Sequence, residues 1–313
     1  MQILAALFSA IVFVANQGSH SVSAIDVNAR TERTLAIPIA PHNVQMCGPK
    51  VLLAVGFLDV SGSYGMVGEP GRLLSIDPKA LRVRSGIDIG SSPAHVVCDS
   101  KGRLAYVTLS GENAVAVVDV ASMRRLAKIP VGRYPHGLRM SSDDRTLFVA
   151  NVRDDDISVV DVRARRLVRN IAVGGSPNQV AVSPDGKMVY ATLSNTNEVV
   201  RVNVAQGRVT KRLRLGLNPA QVTITNDGKE LVVANEGTLD SPGSDVVIVD
   251  AATLLPIAAV TVANGPYGVA IDGRRAYVTS VFSGALTSID LVRHRAIRTY
   301  TVGAEPAGVT VYP

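Results

Sequence analysis

Short apolar runs rich in β-branched residues follow one another along this chain, separated by polar turn-forming segments. In residues 177–215 four such runs occur, and one of the separators is Ser183-Pro184-Asp185-Gly186. Asp-Gly and Pro at these places are typical of tight turns. No apolar pattern keeps the 3.6-residue period of a helix for long. The pattern predicts units of four short strands, a to d.

The four-strand unit recurs with a period near 40 residues. Each unit opens with a proline and a short apolar stretch, at Pro41, Pro93, Pro135, Pro177, Pro219, Pro266 and Pro306. An acid or amide ends strand c at Asp26, Asp77, Asp119, Asp161, Asn203, Asp250 and Asp290. This period predicts an all-β fold, a seven-bladed β-propeller of four-stranded antiparallel blades. We expect the acids to accept backbone hydrogen bonds at the c–d turns.

The two ends of the chain carry complementary parts of one unit. Strand b of the first unit, at residues 11–16, has no strand a before it, and the strand a at residues 306–311 has no strand b after it. We therefore predict that the C-terminal strand pairs with the N-terminal blade and closes the ring, which removes an open sheet edge.

Two segments carry a family resemblance. Ile11-Val12-Phe13-Val14-Ala15-Asn16 and Leu147-Phe148-Val149-Ala150-Asn151 each precede a strand that ends in Asp. They resemble the YVTN (Tyr-Val-Thr-Asn) family of bacterial and archaeal β-propellers, and the resemblance spans nearly the whole chain. It implies a propeller at the cell surface or in the periplasm, and it says little about chemistry because most activities in that family are unassigned.

One propeller accounts for the whole length, so we predict a single domain over residues 11–313 of the 313-residue chain. Residues 1–10 resemble the apolar part of a secretory signal, although they lack a basic start and run directly into the first strand. The apolar run is too short for a membrane span. We expect a periplasmic or extracellular protein.

The chain has two cysteines, Cys47 and Cys98, near the ends of a-strands in consecutive units. The alternatives are a disulfide between neighbouring blades and a pair of buried apolar side chains. We favour the second.

Several functional classes lack their motifs. Tryptophan is absent, which argues against Trp-Asp repeat propellers and quinoprotein dehydrogenases. There is no Gly-x-Ser-x-Gly, His-Glu-x-x-His, Cys-x-x-Cys-His, phosphate-binding loop or dinucleotide fingerprint. The sequence therefore predicts no cofactor, and it identifies no catalytic residue.

In an antiparallel blade the d–a and b–c loops emerge on one face, here called the top face. The two longest b–c loops lie there: Phe57 to Arg72, a candidate lid, and the blade 6 loop with Glu236, Asp240 and Asp245. Loops that depart from a repeat are usual places for binding sites. We therefore predict the functional site on the top face.

Three of the five histidines, His42, His95 and His136, follow the unit-opening prolines of consecutive units. They are either a metal or catalytic cluster, or rim residues that hydrogen-bond a loop or ligand, and we favour the second. His95 is offset by one place, which in a regular strand turns it to the opposite side. His20 is a candidate fourth member and His294 is not. The other ligand-binding candidates are Arg133, Asn178, Gln179, Gln221 and Glu236.

Charge is unevenly distributed. The c–d turns and d-strands hold 19 of the 32 Lys and Arg residues, with only Glu32 and Asp88 among the acids. This basic perimeter either meets an anionic surface such as lipid, cell-wall polymer or nucleic acid, or protects edge strands from pairing, and we favour protection. Residues 251–262 of blade 6 carry no charge and are a candidate contact for a second copy or a partner.

Three functions remain open. The first, which we favour, is a non-enzymatic propeller that binds a protein partner or a small ligand at the channel mouth. The second is a lactonase-like hydrolase with His95 or His136 as base and Arg133 or Arg139 holding an anion. The third is a metal or redox accessory protein that uses the three histidines.

Overall fold

The computed structural model describes residues 10–58 and 68–312, which form a seven-bladed β-propeller of four-stranded antiparallel blades. The predicted fold is confirmed. The signal-like residues 1–9 and the middle of the candidate lid, residues 59–67, lie outside the described residues. Within the described ranges, no helix is long and apolar enough to cross a membrane.

The strands, with one 3-10 turn at Gly48–Lys50, fall into seven sheets. Blade 1 contains β1 (Ile11–Asn16), β2 (Ser21–Asp26) and β3 (Thr31–Ala36), and blade 2 contains β4 (Ala40–Cys47), β5 (Val51–Phe57), β6 (Pro70–Asp77) and β7 (Arg82–Ser91). Blade 3 contains β8 (Pro93–Cys98), β9 (Leu104–Leu109), β10 (Ala114–Asp119) and β11 (Arg124–Pro130), and blade 4 contains β12 (Pro135–Met140), β13 (Thr146–Asn151), β14 (Asp156–Asp161) and β15 (Arg166–Ala172). Blade 5 contains β16 (Pro177–Val182), β17 (Met188–Leu193), β18 (Glu198–Asn203) and β19 (Arg208–Arg214). Blade 6 contains β20 (Pro219–Ile224), β21 (Glu230–Gly237), β22 (Pro242–Asp250) and β23 (Pro256–Thr261), and blade 7 contains β24 (Pro266–Asp272), β25 (Arg275–Ser280), β26 (Ala285–Asp290) and β27 (Arg295–Thr301), with β28 (Pro306–Val311) following.

The ring closes as the sequence predicts. Strand β28 pairs antiparallel with β1, with Val12 opposite Val311 and Val14 opposite Val309. Strand β28 is thereby the innermost strand of blade 1, and it also contacts β24 and β4, the innermost strands of its two neighbours. The seven a-strands therefore surround one central channel.

The hydrophobic core lies between adjacent blades. One cluster joins Phe13 and Val22 of blade 1 to Leu52 and Leu74 of blade 2, all almost fully buried. Because the inner strands are buried on both faces, as in β2, each blade packs on its neighbours while its edge strand d stays exposed, as in β3. This packing fixes the position of every blade around the channel.

The acid or amide that ends each c-strand stabilises the following turn, as expected. Asp26 Oδ1 accepts hydrogen bonds from the backbone N–H groups of Asn28 and Ala29. Asp77 and Asp290 make the same pair of contacts in their blades. These residues cap turns away from the top face and are structural.

Cys47 and Cys98 form a disulfide, with their Cα atoms 5.6 Å apart. The interpretation as two unlinked apolar side chains is therefore wrong. The residues end β4 and β8, the innermost strands of blades 2 and 3, and these strands contact each other. Their spacing in the sequence could not reveal this, because it depends on how two blades pack.

We expect Cys98→Ala to lower the free energy of unfolding by about 2–4 kcal/mol, since the cross-link spans 51 residues and restricts the unfolded chain. Urea unfolding measures the change. Under a reducing agent the variant and the wild type should become nearly equal in stability. Two titratable thiols in unreduced, denatured wild-type protein would contradict the disulfide.

Candidate functional site

A cavity of about 250 Å³ opens at the top-face mouth of the channel. Its walls come from every blade, because the loops that lead into the a-strands and those between strands b and c converge there. The lining residues are Gln17, His42, Phe57, Ser92, Ala94, Ser110, Tyr134, His136, Asn178, Ser194, Asn218, Glu236 and Tyr267. Most are polar and uncharged, so the cavity suits hydrogen bonding to a small ligand.

His42, His95 and His136 meet at this mouth. Their ring centroids are 4.7 Å apart for His95 and His136, and 5.3 and 5.4 Å for the pairs with His42. One ring nitrogen from each lies within 4.8 Å of the other two. The sequence placed them at one rim, and the structure brings them into direct contact.

His95 joins the cluster despite its offset by one residue. The pairing of β8 with β9 shifts register between Pro93 and Val96, so the strict alternation of side chains does not hold at His95. The expectation that it would face the other way is wrong. The β4–β5 and β12–β13 pairings shift beside His42 and His136 as well, which makes the first residues of these a-strands irregular.

Thr108, a buried residue of β9, forms hydrogen bonds with the backbones of two of the histidines. Its Oγ1 accepts a hydrogen bond from the His95 backbone N–H at 3.0 Å and donates one to the His136 carbonyl at 2.7 Å. It therefore links the a-strands of blades 3 and 4. Thr192 and Thr279 make the equivalent bridge to the carbonyls of Ala220 and Ala307. The repeat itself thus sets the relative position of its inner strands.

The side chains of two histidines have defined partners. His136 Nδ1 lies 3.1 Å from the Asn178 carbonyl oxygen. His42 Nδ1 lies 2.9 Å from Gln17 Oε1, and its Nε2 lies 3.3 Å from the Tyr267 hydroxyl. His95 is 1% exposed, and neither of its ring nitrogens has a hydrogen-bond partner among the described residues.

All three histidines are neutral at pH 7. Burial, helped by His136, lowers the pKa of His42 to about 3. Burial also lowers the pKa of His136 to about 4, although its bond to the Asn178 carbonyl opposes this. The pKa of His95 lies well below its ordinary value because of burial and of nearby His136, His42 and Arg139. Neutral imidazoles are ligands and acceptors rather than cations.

Gln179 and Gln221 are buried at the same place after the proline as His95, in β16 and β20. Their Oε1 atoms accept bonds from the Val180 and Val269 backbone N–H groups, at 2.9 and 3.4 Å. The Nε2 atom of each has no partner among residues 10–58 and 68–312. Neither glutamine is among the residues that line the cavity, and both side chains are buried in the inner strands beside it.

Glu236 is the one acid among the cavity-lining residues of the described ranges. Burial raises its pKa to about 7, although a hydrogen bond from Asn218 Nδ2 opposes this. Its carboxyl group therefore exchanges a proton near neutral pH. Glu236 lines the same cavity as His42 and His136, but it lies within β21 and not in the b–c loop to which the sequence analysis assigned it.

Not every predicted residue joins the site. Arg133 is exposed on the rim, where it forms an ion pair with Asp154, and it does not line the cavity. His20 is absent from the histidine group of the described residues. His294 lies in a c–d turn and contacts Glu230, as expected for a residue outside the site.

A family model for YNCE-like β-propellers matches residues 57–230, more than half of the chain. The chain belongs to the YNCE-like β-propeller family. No curated protein matches its sequence.

Solved structures share the family's fold at low sequence identity. Hydrazine synthase of Kuenenia stuttgartiensis matches with a TM-score of 0.74 and 22% identity, over 88% of this chain and 90% of that one. The periplasmic gluconolactonase of Pseudomonas aeruginosa matches with a TM-score of 0.76 and 20% identity, over 96% and 98%. A candidate 6-phosphogluconolactonase of Bacteroides fragilis NCTC 9343 matches with a TM-score of 0.77 and 13% identity, over 98% and 99%. These similarities show the fold alone.

The sequence reasoning missed Gln17, Tyr267 and Asn218. Tyr267 follows Pro266 as His42 follows Pro41 and His136 follows Pro135, so the aligned repeats contained a signal for it. Gln17 and Asn218 lie in loops of different blades, and the sequence contained no comparable signal for them.

Proposed function

We propose that this protein is a non-enzymatic propeller that binds a small polar ligand at the top-face mouth of its channel. The observation that carries the proposal is the cavity itself, to which all seven blades contribute and which is walled mainly by uncharged polar side chains. Concave pockets in which a few polar groups converge are the usual small-molecule binding sites of proteins. A polar loop of a partner protein would occupy the same cavity and use the same hydrogen-bonding groups as a small ligand.

The available groups indicate the chemistry of the ligand. Hydroxyl and amide groups line the cavity, among them those of Tyr134, Asn178 and Asn218, and such groups donate hydrogen bonds. A ligand with several oxygen acceptors, such as a sugar acid or its lactone, satisfies such donors. The volume of about 250 Å³ suits a small molecule.

We also assign the repeat to the YVTN type. Asn16 and Asn151 end the b-strands of blades 1 and 4, as the Asn of that motif would, and Asn235 lies two residues before the end of the b-strand of blade 6. Their Nδ2 atoms donate to side chains of strand c, including Ser23, Ser158 and Asp245. The amide therefore ties strands b and c together at the top face.

Export to the periplasm or the cell surface is part of the proposal. The Cys47–Cys98 disulfide supports it, because disulfides persist mainly in oxidising compartments. The basic perimeter formed by the c–d turns and d-strands offers contacts to an anionic surface such as lipid headgroups. In blade 6, Leu255 and Ile257 are exposed and offer an apolar contact for a second copy of the chain.

Ligand binding is tested by calorimetry with a panel of sugar acids and lactones. We expect Asn178→Ala to weaken binding about three- to tenfold, the value of one hydrogen bond. Asn226→Ala is the matched control, because Asn226 is an exposed residue of an a–b turn away from the cavity. The proposal is wrong if both variants bind like the wild type, or if no member of the panel binds.

Lactone hydrolysis is the second candidate function, and Glu236 favours it. Its pKa of about 7 is that of an effective general base at neutral pH, and it faces the same cavity as His42 and His136. The test is turnover of a lactone panel by the wild type, by Glu236→Gln and by the double variant His95→Ala/His136→Ala. Turnover that disappears in the variants would replace the binding-only proposal by the hydrolase.

A further inference from the structure

We propose that His42, His95 and His136 together bind one divalent late first-row metal ion, with Zn²⁺ or Cu²⁺ as the fitting ions, at the mouth of the channel. The inference deepens the proposed function, on whose site it rests, by naming an inorganic component of that site. One ring nitrogen from each histidine already lies within 4.8 Å of the other two.

The hydrogen bonds of two histidines determine where their lone pairs lie. The Asn178 carbonyl can only accept, so His136 Nδ1 carries the proton and its Nε2 is a lone pair. Gln17 Oε1 likewise accepts from His42 Nδ1, which leaves His42 Nε2 as an acceptor for the Tyr267 hydroxyl. Metal-binding histidines typically donate their second ring nitrogen in this manner.

His95 supplies the third lone pair. As a neutral imidazole it has one acceptor nitrogen in either tautomer, and both ring nitrogens are buried without a partner among the described residues. A buried polar group without a partner is costly unless a ligand satisfies it. Its ring packs against those of His42 and His136.

Lone pairs on three neighbouring imidazole rings select a cation over an anion. An anion requires N–H donors, whereas His42 and His136 use their N–H groups on Gln17 and on Asn178. Imidazole nitrogen suits Zn²⁺ and Cu²⁺. The nearby Arg139 guanidinium bonds to the Leu138 carbonyl and adds positive charge beside His95. The fourth coordination position therefore favours an anionic oxygen ligand from the cavity.

The arrangement fits an open, three-histidine centre. Zn–N bonds of about 2.0–2.1 Å place tetrahedral ligand nitrogens about 3.4 Å apart. Nitrogens that are 4.8 Å apart therefore need to approach by about 1.4 Å. The Tyr267 hydroxyl, 3.3 Å from His42 Nε2, gives up that contact when the ion binds. The other hydrogen bonds to the histidines are kept. Gln17 and the Asn178 carbonyl still accept from the rings of His42 and His136. Thr108 still bonds to the backbones of His95 and His136.

The experiment uses untagged full-length protein, treated with a chelator and then titrated with Zn²⁺ alone by calorimetry. We expect one ion per chain, and affinity at least about 100-fold lower in His95→Gln and in His136→Ala, because each removes a ligand. Gln17→Ala should weaken binding about 10- to 100-fold by removing an outer partner. His20→Asn and His294→Asn are the matched controls, since both histidines have positive φ, which Asn tolerates. They should bind like the wild type.

A spectroscopic measurement on the wild type makes the test independent of whether a variant folds. Electron paramagnetic resonance of the Cu²⁺-loaded protein should show hyperfine coupling to several imidazole nitrogens. Coupling to a single nitrogen, absence of stoichiometric Zn²⁺ binding, or equal affinity in His95→Gln and the controls would each overturn the proposal.

The outcome separates this inference from the proposed function. Organic ligands of the panel that bind equally well with and without chelator, in a protein that takes up no Zn²⁺, would remove the metal and keep the binding site. Stoichiometric Zn²⁺ binding without any organic ligand would keep the metal and remove the small-ligand proposal.

Discussion

Removing residues Ala307–Pro313 is expected to lower the melting temperature by more than about 10 °C or to cause aggregation. Strand β28 supplies the innermost strand of blade 1, and Ala307, Val309 and Val311 pack in the core. Losing several buried side chains costs about 1–3 kcal/mol each, and 1 kcal/mol corresponds to about 2–4 °C in a chain of this size. Strand β1 would also become an open edge. Thermal unfolding and light scattering measure both effects.

Complementation provides the control for this truncation. A synthetic peptide of residues 304–313 should restore the melting temperature of the shortened protein, because it can pair with β1, while a peptide of scrambled sequence should not. A truncated protein as stable and monomeric as the wild type would show that β28 does not close the ring.

Glu236→Gln is expected to make the protein more stable than the wild type above pH 7. Burial raises the pKa of Glu236 from 4.5 to about 7, so the folded state retains a proton that the unfolded state loses. The contribution of this group to stability is complete below pH 4.5 and is lost as the pH rises through about 7. The shift lowers the free energy of unfolding of the wild type above pH 7, relative to its value below pH 4.5, by on the order of 3 kcal/mol. The Gln variant avoids this loss because its side chain does not ionise. Urea unfolding between pH 5 and pH 8 measures it.

Glu112→Gln is the control, because the pKa of Glu112 is lowered whereas that of Glu236 is raised. Burial raises the pKa of Glu112, but Lys128 and the Ser91 backbone N–H lower it further, so that it ends below its usual value. Its contribution is therefore present at neutral pH and is lost in acid, and the variant should be less stable at pH 7. If Glu236→Gln follows the pH dependence of the wild type in parallel, the carboxyl group of Glu236 is not shifted.

The repeat made the fold predictable because each unit carries its own complete pattern. A proline, four apolar runs and a turn-capping acid recur seven times, and β-strands need only local alternation and turn residues to be recognised. The one-strand offset between residues 11–16 and 306–311 also predicted the closure that β28 makes with β1.

The site was predictable only in part. The positions of His42, His136 and Asn178 after their prolines indicated the channel mouth, where the structure places them. The contact of His95 depends on a register shift between Pro93 and Val96, and the exclusion of Arg133 depends on its ion pair with Asp154. Neither feature has a local signature in the sequence.

The seven-bladed architecture, the face on which the loops converge and the structural role of acids such as Asp26 were all predictable from the sequence. The tertiary structure alone decided the Cys47–Cys98 disulfide, the meeting of three histidine rings and the raised pKa of Glu236. The physical reason is that strands and turns follow from neighbours along the chain, whereas distances across blades and the burial of a side chain follow from how seven sheets pack around one axis.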